Sequence, residues 1–171
     1  YSSKDGGITF STSTIIDKPI PYCVARVSTS SNVAWALYEG PAITVDKKGR
    51  VYVVWTEPKE CILDPNFEYS KYGRDYDIYF SYSDDQAMTW STPSRVNDDQ
   101  SGGDQGFPSI RVDDYGNIYI AFVDHRDNQD KAQYNFYLAY STREGKKFTN
   151  IRVNDISIPN DQGRTPGDYL D

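Results

Sequence analysis

The chain has 171 residues, of which 15% are aromatic, and it contains 15 tyrosines against a single methionine. Its formal net charge is −7 and it has no run of Lys and Arg, which argues against binding to nucleic acid or to an anionic membrane surface. No apolar stretch approaches the roughly 18 residues of a membrane-spanning helix, so membrane insertion is not expected. The abundance of aromatic residues favours strands over helices.

The chain opens on a turn, YSSKDGGITF, at residues 1–10, followed by the strand-like segment FSTSTIID. Closely similar turns occur at residues 81–90, SYSDDQAMTW, and at residues 139–148, AYSTREGKKF. Because a repeated turn indicates a repeated structural unit, residues 1–17 are interpreted as the end of one such unit.

The next unit covers residues 41–98 and is repeated at residues 108–155, where PAITVDKKGRVYVVW is matched by PSIRVDDYGNIYIAF after 67 residues. Polar and apolar residues alternate with a period of two, which predicts strands. The four strands of each unit are expected to begin at Pro41 or Pro108, Arg50 or Asn117, Tyr76 or Tyr134, and Trp90 or Phe148. Gly49 and Gly116 supply the positive φ for the first hairpin turn. Residues 164–171 begin a further unit.

Four antiparallel strands repeated at this period predict an all-β protein, a β-propeller with fewer than three blades present. A closed propeller typically has about four to eight blades. We therefore expect residues 1–171 to be part of a longer six- or seven-bladed chain that supplies the remaining blades. Assembly of several copies into a ring is the alternative.

The repeated turn follows the pattern S-x-D-x-G-x-T-[W/F] and resembles the Asp box of the BNR repeat family, which includes sialidases. The second turn has Ala87 in place of Gly, and the third has Arg143 in place of Asp. The matching positions are Ser3, Asp5, Gly7, Thr9 and Phe10; Ser83, Asp85, Thr89 and Trp90; and Ser141, Gly145 and Phe148. The aspartate is expected to accept backbone N–H groups of its own turn, and the aromatic residue to enter the blade core. The resemblance implies that these turns are structural and lie opposite the active site.

Functional residues are therefore expected on the other rim, on the loops at residues 57–75 and 124–133 and on the connections between blades. The sequence Asp-Gln-Gly occurs in two of these connections, where it can brace neighbouring blades or contact a ligand. The candidate ligand-binding residues are Asp104, Gln105, His125, Asp161 and Gln162.

The resemblance to sialidases implies a tyrosine nucleophile paired with Glu, an Asp acid/base and three arginines that bind the substrate carboxylate. Arg164 lies in R-T-P, one residue different from the family's R-I-P motif. Arg126 and Asp124 are the other catalytic candidates, although a solvated or structural Asp–Arg pair is the commoner explanation. No tyrosine and glutamate pair is assigned.

Cys23 and Cys61 flank the first two strands of one unit and are expected on the same rim, which favours a disulfide over two unpaired thiols. A disulfide would imply a secreted, periplasmic or cell-surface protein. Asp98, Asp99 and Asp104 have the oxygen ligands that Ca²⁺ takes, but the favoured explanation is an acidic turn whose carboxylates cap backbone amides. No other cofactor is expected.

Two functions remain open from the sequence. The first is an exo-glycosidase resembling a sialidase, with most catalytic residues outside this segment. The second is a noncatalytic propeller that binds carbohydrate or protein at the cell surface. In both, the expected partner is a glycan or protein ligand.

Overall fold

A computed structural model describes residues 3–12, 16, 24–25, 41–63, 71–128, 133–142 and 144–159, without the side chains at 24–25, 60–63 and 71–74. Within these ranges the chain forms strands and no helix, and hence no helix that could cross a membrane. The strands are β1 (Val24–Ala25), β2 (Ala42–Val45), β3 (Val51–Leu63), β4 (Lys71–Ser83), β5 (Ser94–Arg95), β6 (Gln105–Val112), β7 (Ile118–Asp124), β8 (Gln133–Ser141), β9 (Thr149–Arg152) and β10 (Ile158–Pro159).

The strands form two sheets of the same design. In the first sheet β2, β3, β4 and β5 pair in chain order, each antiparallel to the next, and β1 runs parallel to β4 on the β5 side. In the second sheet β6, β7, β8 and β9 repeat this order, and β10 pairs with β8. The fold is all-β, and the two sheets are neighbouring four-stranded blades of a β-propeller, as the repeat predicted.

The predicted loop at residues 57–75 is mostly a strand hairpin, so that prediction was wrong. β3 continues to Leu63 and β4 begins at Lys71, with Glu57 paired to Asp77 and Leu63 to Lys71. The charged residues and Pro58 have low β-propensity, so the sequence did not predict a strand here. Pairing between β3 and β4 overrides that low propensity. The second predicted loop is confirmed, because β7 ends at Asp124 and β8 begins at Gln133.

Tight turns join the first two strands of each sheet, as predicted. Gly49 and Gly116 have φ values of 87° and 85°. In the first of these turns, the Asp46 carboxylate accepts the N–H groups of Lys48 and Arg50, both at 2.9 Å. The Asp113 carboxylate does the same in the second, so the D-x-x-G spacing explains both hairpins.

The core lies between the two sheets. β6 contacts β2, β3 and β4, which places the first strand of the second sheet across the face of the first. The largest fully buried side chains of this core are Tyr52, Phe80, Phe122, Ile78, Ile110, Ile118 and Ile120. These apolar side chains come from alternate strand positions, which is why the period of two in the sequence located them.

The turns at Ser3–Phe10 and Ser83–Trp90, called the S-x-D turns below, have the same hydrogen bonds. Ser83 Oγ accepts the N–H of Ala87 at 2.9 Å, and Asp85 Oδ1 accepts the N–H groups of Met88 at 3.1 Å and Thr89 at 2.8 Å. Hydrogen bonds from the side chain and backbone of Thr89, with one from the Ser83 hydroxyl, lower the pKa of Asp85 to about 2. The carboxylate therefore supports the turn, as the pattern predicted.

The aromatic residue that ends each turn is buried in one turn and exposed in another. Phe148 is 8% exposed and meets Phe80 of the first sheet edge-on, with ring centroids 5.3 Å apart. Phe10 is 64% exposed, so the prediction that it enters a core was wrong for the described structure. The physical reason is that no described sheet lies against Phe10, whereas Phe148 sits between two.

We expect Gly145→Ala to lower the free energy of unfolding more than Gly116→Ala does. Both glycines have positive φ, 78° and 85°, which costs a residue with a Cβ about 1 kcal/mol. A Cβ at Gly145 would also overlap the ring of Phe80, whose Cζ would lie 2.7 Å away, whereas Gly116 has open space. Urea unfolding should give a loss of about 3 kcal/mol for Gly145→Ala. Equal losses would contradict the close packing of this turn on the first sheet.

Candidate functional site

The rim opposite the S-x-D turns carries a cluster of polar and charged side chains where the two sheets meet. We call it the rim cluster; its members are Asp77, Arg95, Asn97, Asp99, Gln105, Asp124 and Arg126. All but the two arginines are less than 9% exposed. Buried polar groups of this kind are normally hydrogen-bonded, and these have direct protein partners.

Asn97 lies at the centre of the rim cluster and is 3% exposed. It follows β5, where Val96 N–H still bonds to the carbonyl of Ile78. Its side chain then continues the ladder, because Asn97 Oδ1 accepts the N–H of Ile78 at 2.9 Å. Its Nδ2 lies 2.7 Å from Asp77 Oδ1, Asp99 Oδ1 and Gln105 Oε1. One carboxamide thus joins three side chains to the first sheet.

Gln105, the first residue of β6, connects the rim cluster to the second sheet. Its Oε1 faces Asn97, and its Nε2 donates to the carbonyl of Gly103 at 2.8 Å and to Asp124 Oδ1 at 3.2 Å. The side chain is fully buried. This geometry matches the predicted blade-to-blade brace, and the described contacts engage both ends of the amide within the protein.

Arg95 binds two carboxylates of the first unit, those of Asp77 and Asp99. Its Nε donates to Asp77 Oδ1 at 2.7 Å and its Nη2 to Asp99 Oδ1 at 3.0 Å. Burial raises the pKa of Asp99, but hydrogen bonds from Asn97 and Ser101 and the nearby arginine charges outweigh it, so the pKa lies below its usual value. Asp99 is therefore a carboxylate held by donors.

Arg126 forms the matching pair with Asp124. Its Nε donates to Asp124 Oδ2 at 2.8 Å, and the backbone N–H of Arg126 donates to Asp124 Oδ1 at 2.7 Å. Its Nη1 reaches Asp98 Oδ1 at 2.7 Å, and the guanidinium lies 4.2 Å from the ring centre of Tyr137. Burial raises the pKa of Asp124, an effect that Arg126 opposes. The contact between Arg126 and Asp98 links the sheets, since Asp98 belongs to the first unit and Arg126 to the second.

The remaining predicted ligand contacts, Asp104 and His125, are packed against each other at 3% and 6% exposure. The carbonyl of Asp104 accepts the N–H of His125 at 3.0 Å and lies 3.1 Å from its Nδ1, and Asp104 Oδ1 accepts the N–H of Tyr76 at 3.3 Å. A Cβ at Gly103 would lie 2.8 Å from the Arg126 nitrogen. The connection between the sheets thus packs directly on the His125–Arg126 backbone, which only glycine permits.

The three aspartates of the predicted calcium site do not converge. Asp98 bonds to Arg126, Asp99 to Asn97, Arg95 and Ser101, and Asp104 to Tyr76. Nowhere in the described ranges do three or more His, Cys, Asp or Glu side chains form a group able to hold a metal. Backbone N–H groups reach two of these carboxylates, that of Ser101 at Asp99 Oδ2 and that of Tyr76 at Asp104 Oδ1, both at 3.3 Å, while Asp98 is bound by the side chain of Arg126.

Several predicted residues lie outside the described residues: Asp161, Gln162 and Arg164, together with Cys23 and the side chain of Cys61. Their proposed roles stay predictions.

Sequence reasoning overlooked Arg95, Asp77 and Lys59 as rim residues. Lys59 Nζ lies 2.5 Å from Asp75 Oδ2 and 3.5 Å from Asp77 Oδ2, across the β3–β4 hairpin. The signal for Arg95 was present, because RVND occurs at residues 95–98 and again at residues 152–155. A segment repeated at equivalent positions of two blades marks a shared structural joint.

The fold and the rim together define a pair of propeller blades. No family model matches the chain, and no curated protein matches it. Among solved structures, the chain is similar to the Hadza microbial sialidase Hz136, with a TM-score of 0.51 and 18% sequence identity. The match covers 66% of this chain and 25% of that sialidase, so it spans about a quarter of the longer protein. At this identity the similarity shows a sialidase-like fold.

We expect Asn97→Asp to destabilise the blade pair strongly at neutral pH. The new carboxylate would face Asp77 and Asp99 in a buried place, and an uncompensated buried charge costs about 3–5 kcal/mol. Its pKa would be higher folded than unfolded, so the loss should be full above the folded pKa and shrink as the pH falls towards about 4.

Urea unfolding of Asn97→Asp at several pH values measures this effect, with Asn97→Ala as the matched control. The alanine variant loses the same hydrogen bonds without adding a charge, so its deficit should not shrink in the same way. A deficit of Asn97→Asp that stays constant from pH 7 to 4.5 would contradict the proposed crowding of carboxylates.

Proposed function

We propose that this chain supplies two blades of a sialidase-like propeller that binds an anionic glycan at the rim opposite the S-x-D turns. The supporting observation is the combination of a sialidase-like fold with a rim at which cationic side chains are held in fixed positions by buried carboxylates. Loops and strand ends on a rigid scaffold are the usual location of binding residues. The opposite rim is occupied by turns whose polar groups support the backbone.

Lys59 and Arg95 are the side chains of the rim that can donate hydrogen bonds to a carboxylate-bearing sugar. Their side chains are 44% and 26% exposed, so both reach solvent while remaining anchored to Asp75, Asp77 and Asp99. Anchoring by carboxylates lowers the entropy lost when a ligand binds, because the cations are already ordered. His125 and Asp104, with Asp161 and Gln162, remain proposed ligand contacts of the same rim.

A noncatalytic binding module is the second candidate, and one observation favours it. The catalytic candidates Asp124 and Arg126 bind each other, and Arg126 also binds Asp98 and Asn150. A general acid must be able to reach its substrate, whereas Asp124 is 0% exposed. Hydrolysis would therefore require an acid and a nucleophile from other blades, with Arg164 as a candidate for binding the substrate carboxylate.

We further propose a secreted, periplasmic or cell-surface location with a disulfide between Cys23 and Cys61. Intact-mass measurement after alkylation with iodoacetamide under denaturing conditions tests the bond. We expect no alkylation without reductant and two alkylated cysteines after reduction. Two alkylated cysteines before reduction would contradict both the disulfide and the location inferred from it.

Binding and hydrolysis are separated by two measurements on the protein that carries these residues. A fluorogenic sialoside reports turnover, and a glycan array with sialylated and neutral glycans reports binding. Turnover supports the glycosidase, and binding of sialylated glycans without turnover supports the binding module. The absence of both turnover and binding would overturn the proposed function.

The variant Lys59→Met tests the assigned rim, since it removes the charge and keeps the aliphatic chain. We expect affinity for sialylated glycans to fall about tenfold, the loss of one charge-assisted contact. Tyr115→Ala is the matched control, because Tyr115 is 92% exposed on the opposite rim. Equal effects of the two variants would place the glycan elsewhere.

A further inference from the structure

One residue of β6 has a backbone conformation that its side chain disfavours. Phe107 has a φ of 53°, which places a bulky residue in the left-handed region. Pro108 follows it, and a proline pushes the residue before it towards an extended conformation. Such a conformation lowers the folding equilibrium constant about tenfold. Strain of this kind persists only where the surrounding structure imposes it, and it is concentrated at functional sites.

The other described non-glycine residues with positive φ are placed where it is better tolerated. Gln86, Ala87 and Glu144 lie in turns, and Asp75 is of a residue type that adopts the left-handed conformation more readily. Phe107, by contrast, is an aromatic residue inside a strand.

The internal repeat shows which residue would fit this position without strain. At the equivalent place in the first unit the sequence has Gly40, which is also followed by a proline, Pro41. Glycine adopts positive φ about as readily as negative φ. The second unit has a phenylalanine instead, so its ring must contribute a contact that offsets the strain.

Phe107 lies in a β-bulge beside the rim cluster. The pairing of β6 with β7 shifts by one residue between Gly106 and Ser109. Bulges turn a side chain out of the regular alternation of a strand and are frequent next to active sites. Gln105 of the rim cluster stands two residues before Phe107, which is roughly 7 Å along a strand.

The strand that carries Phe107 lies on the side where the blades converge. β2 and β6, the first strands of the two sheets, are edge strands and contact each other. Because propeller blades are arranged around a central channel, these two strands border that channel. Phe107 is partly exposed there, whereas its neighbours Gly106 and Pro108 are buried.

We propose that the Phe107 ring contacts the glycan, with the apolar face of a sugar ring packed against it beside Gln105. Sugar rings carry C–H groups on one face, and aromatic side chains commonly form the apolar lining of ligand sites. The rim cluster consists of polar and charged side chains, and Phe107 adds the apolar surface that they lack. This assignment rests on the proposed binding of a glycan at the same rim.

Two variants of the protein that carries these residues test the contact by titration with a sialylated trisaccharide. Phe107→Gly removes the ring and relieves the strain, whereas Phe107→Tyr keeps the ring. We expect the affinity to fall about tenfold in Phe107→Gly and to change by less than about twofold in Phe107→Tyr. Equal affinities of Phe107→Gly and the unmodified protein overturn the inference.

Urea unfolding distinguishes a ligand contact from a packing residue. Phe148→Gly is the matched control, because Phe148 is 8% exposed and packs on Phe80. We expect the unfolding midpoint to fall much less in Phe107→Gly than in Phe148→Gly, since relief of the strain offsets part of the lost packing. Equal losses mean that Phe107 is a core residue, which overturns the inference.

The proposed function and this inference fail in different ways. If the unmodified protein does not bind the trisaccharide, the proposed function is contradicted and the contact assigned to Phe107 falls with it. If the unmodified protein binds and Phe107→Gly binds equally well, or is destabilised as much as Phe148→Gly, the inference alone is overturned.

Discussion

The blade pair depends on one buried carboxamide, that of Asn97. Its oxygen accepts the N–H of Ile78 in β4, and its nitrogen lies within hydrogen-bond distance of Asp77, Asp99 and Gln105. The backbone of the first sheet is thereby connected to Gln105, a side chain of the second. Two carboxylates this close would repel each other, but the neutral amide and Arg95 supply donors to both. The apolar core brings the sheets together, and this polar joint fixes how they meet.

The same positions recur in both sheets with different residues, which shows what the architecture requires. Lys59, within β3, and Arg126, two residues after the end of β7, occupy equivalent positions of the repeat, and each pairs with a buried carboxylate. In the first sheet Asp77 accepts a hydrogen bond from Asn97. At the equivalent positions of the second sheet, Asn135 Oδ1 accepts a hydrogen bond from Asn154 Nδ2. The requirement is a donor matched to an acceptor, and the charge can vary. A rim built in this way presents fixed cations whose counterions are part of the protein.

The sequence predicted the fold well because strand periodicity and repeated turns are local signals. Gly49, Gly116 and the S-x-D turns were located by residue type alone, since positive φ and carboxylate-to-amide bonds depend on neighbours in the chain. The roles of the rim residues were harder to predict, because the sequence around Asp124 and Arg126 is the same whether these residues bind a substrate or each other. The β3–β4 hairpin was missed because its pairing partners, and not its own residues, make it a strand.

The connection from Asn97 to Gln105 joins different sheets although Gln105 stands only eight positions after Asn97. Closing so short a loop costs little chain entropy, so this contact can form as soon as β6 exists. A joint of this kind lets neighbouring blades assemble through local contacts. A completed blade provides the face on which the first strand of the next blade packs. A growing chain can therefore add blades in the order of their synthesis, before its two ends meet.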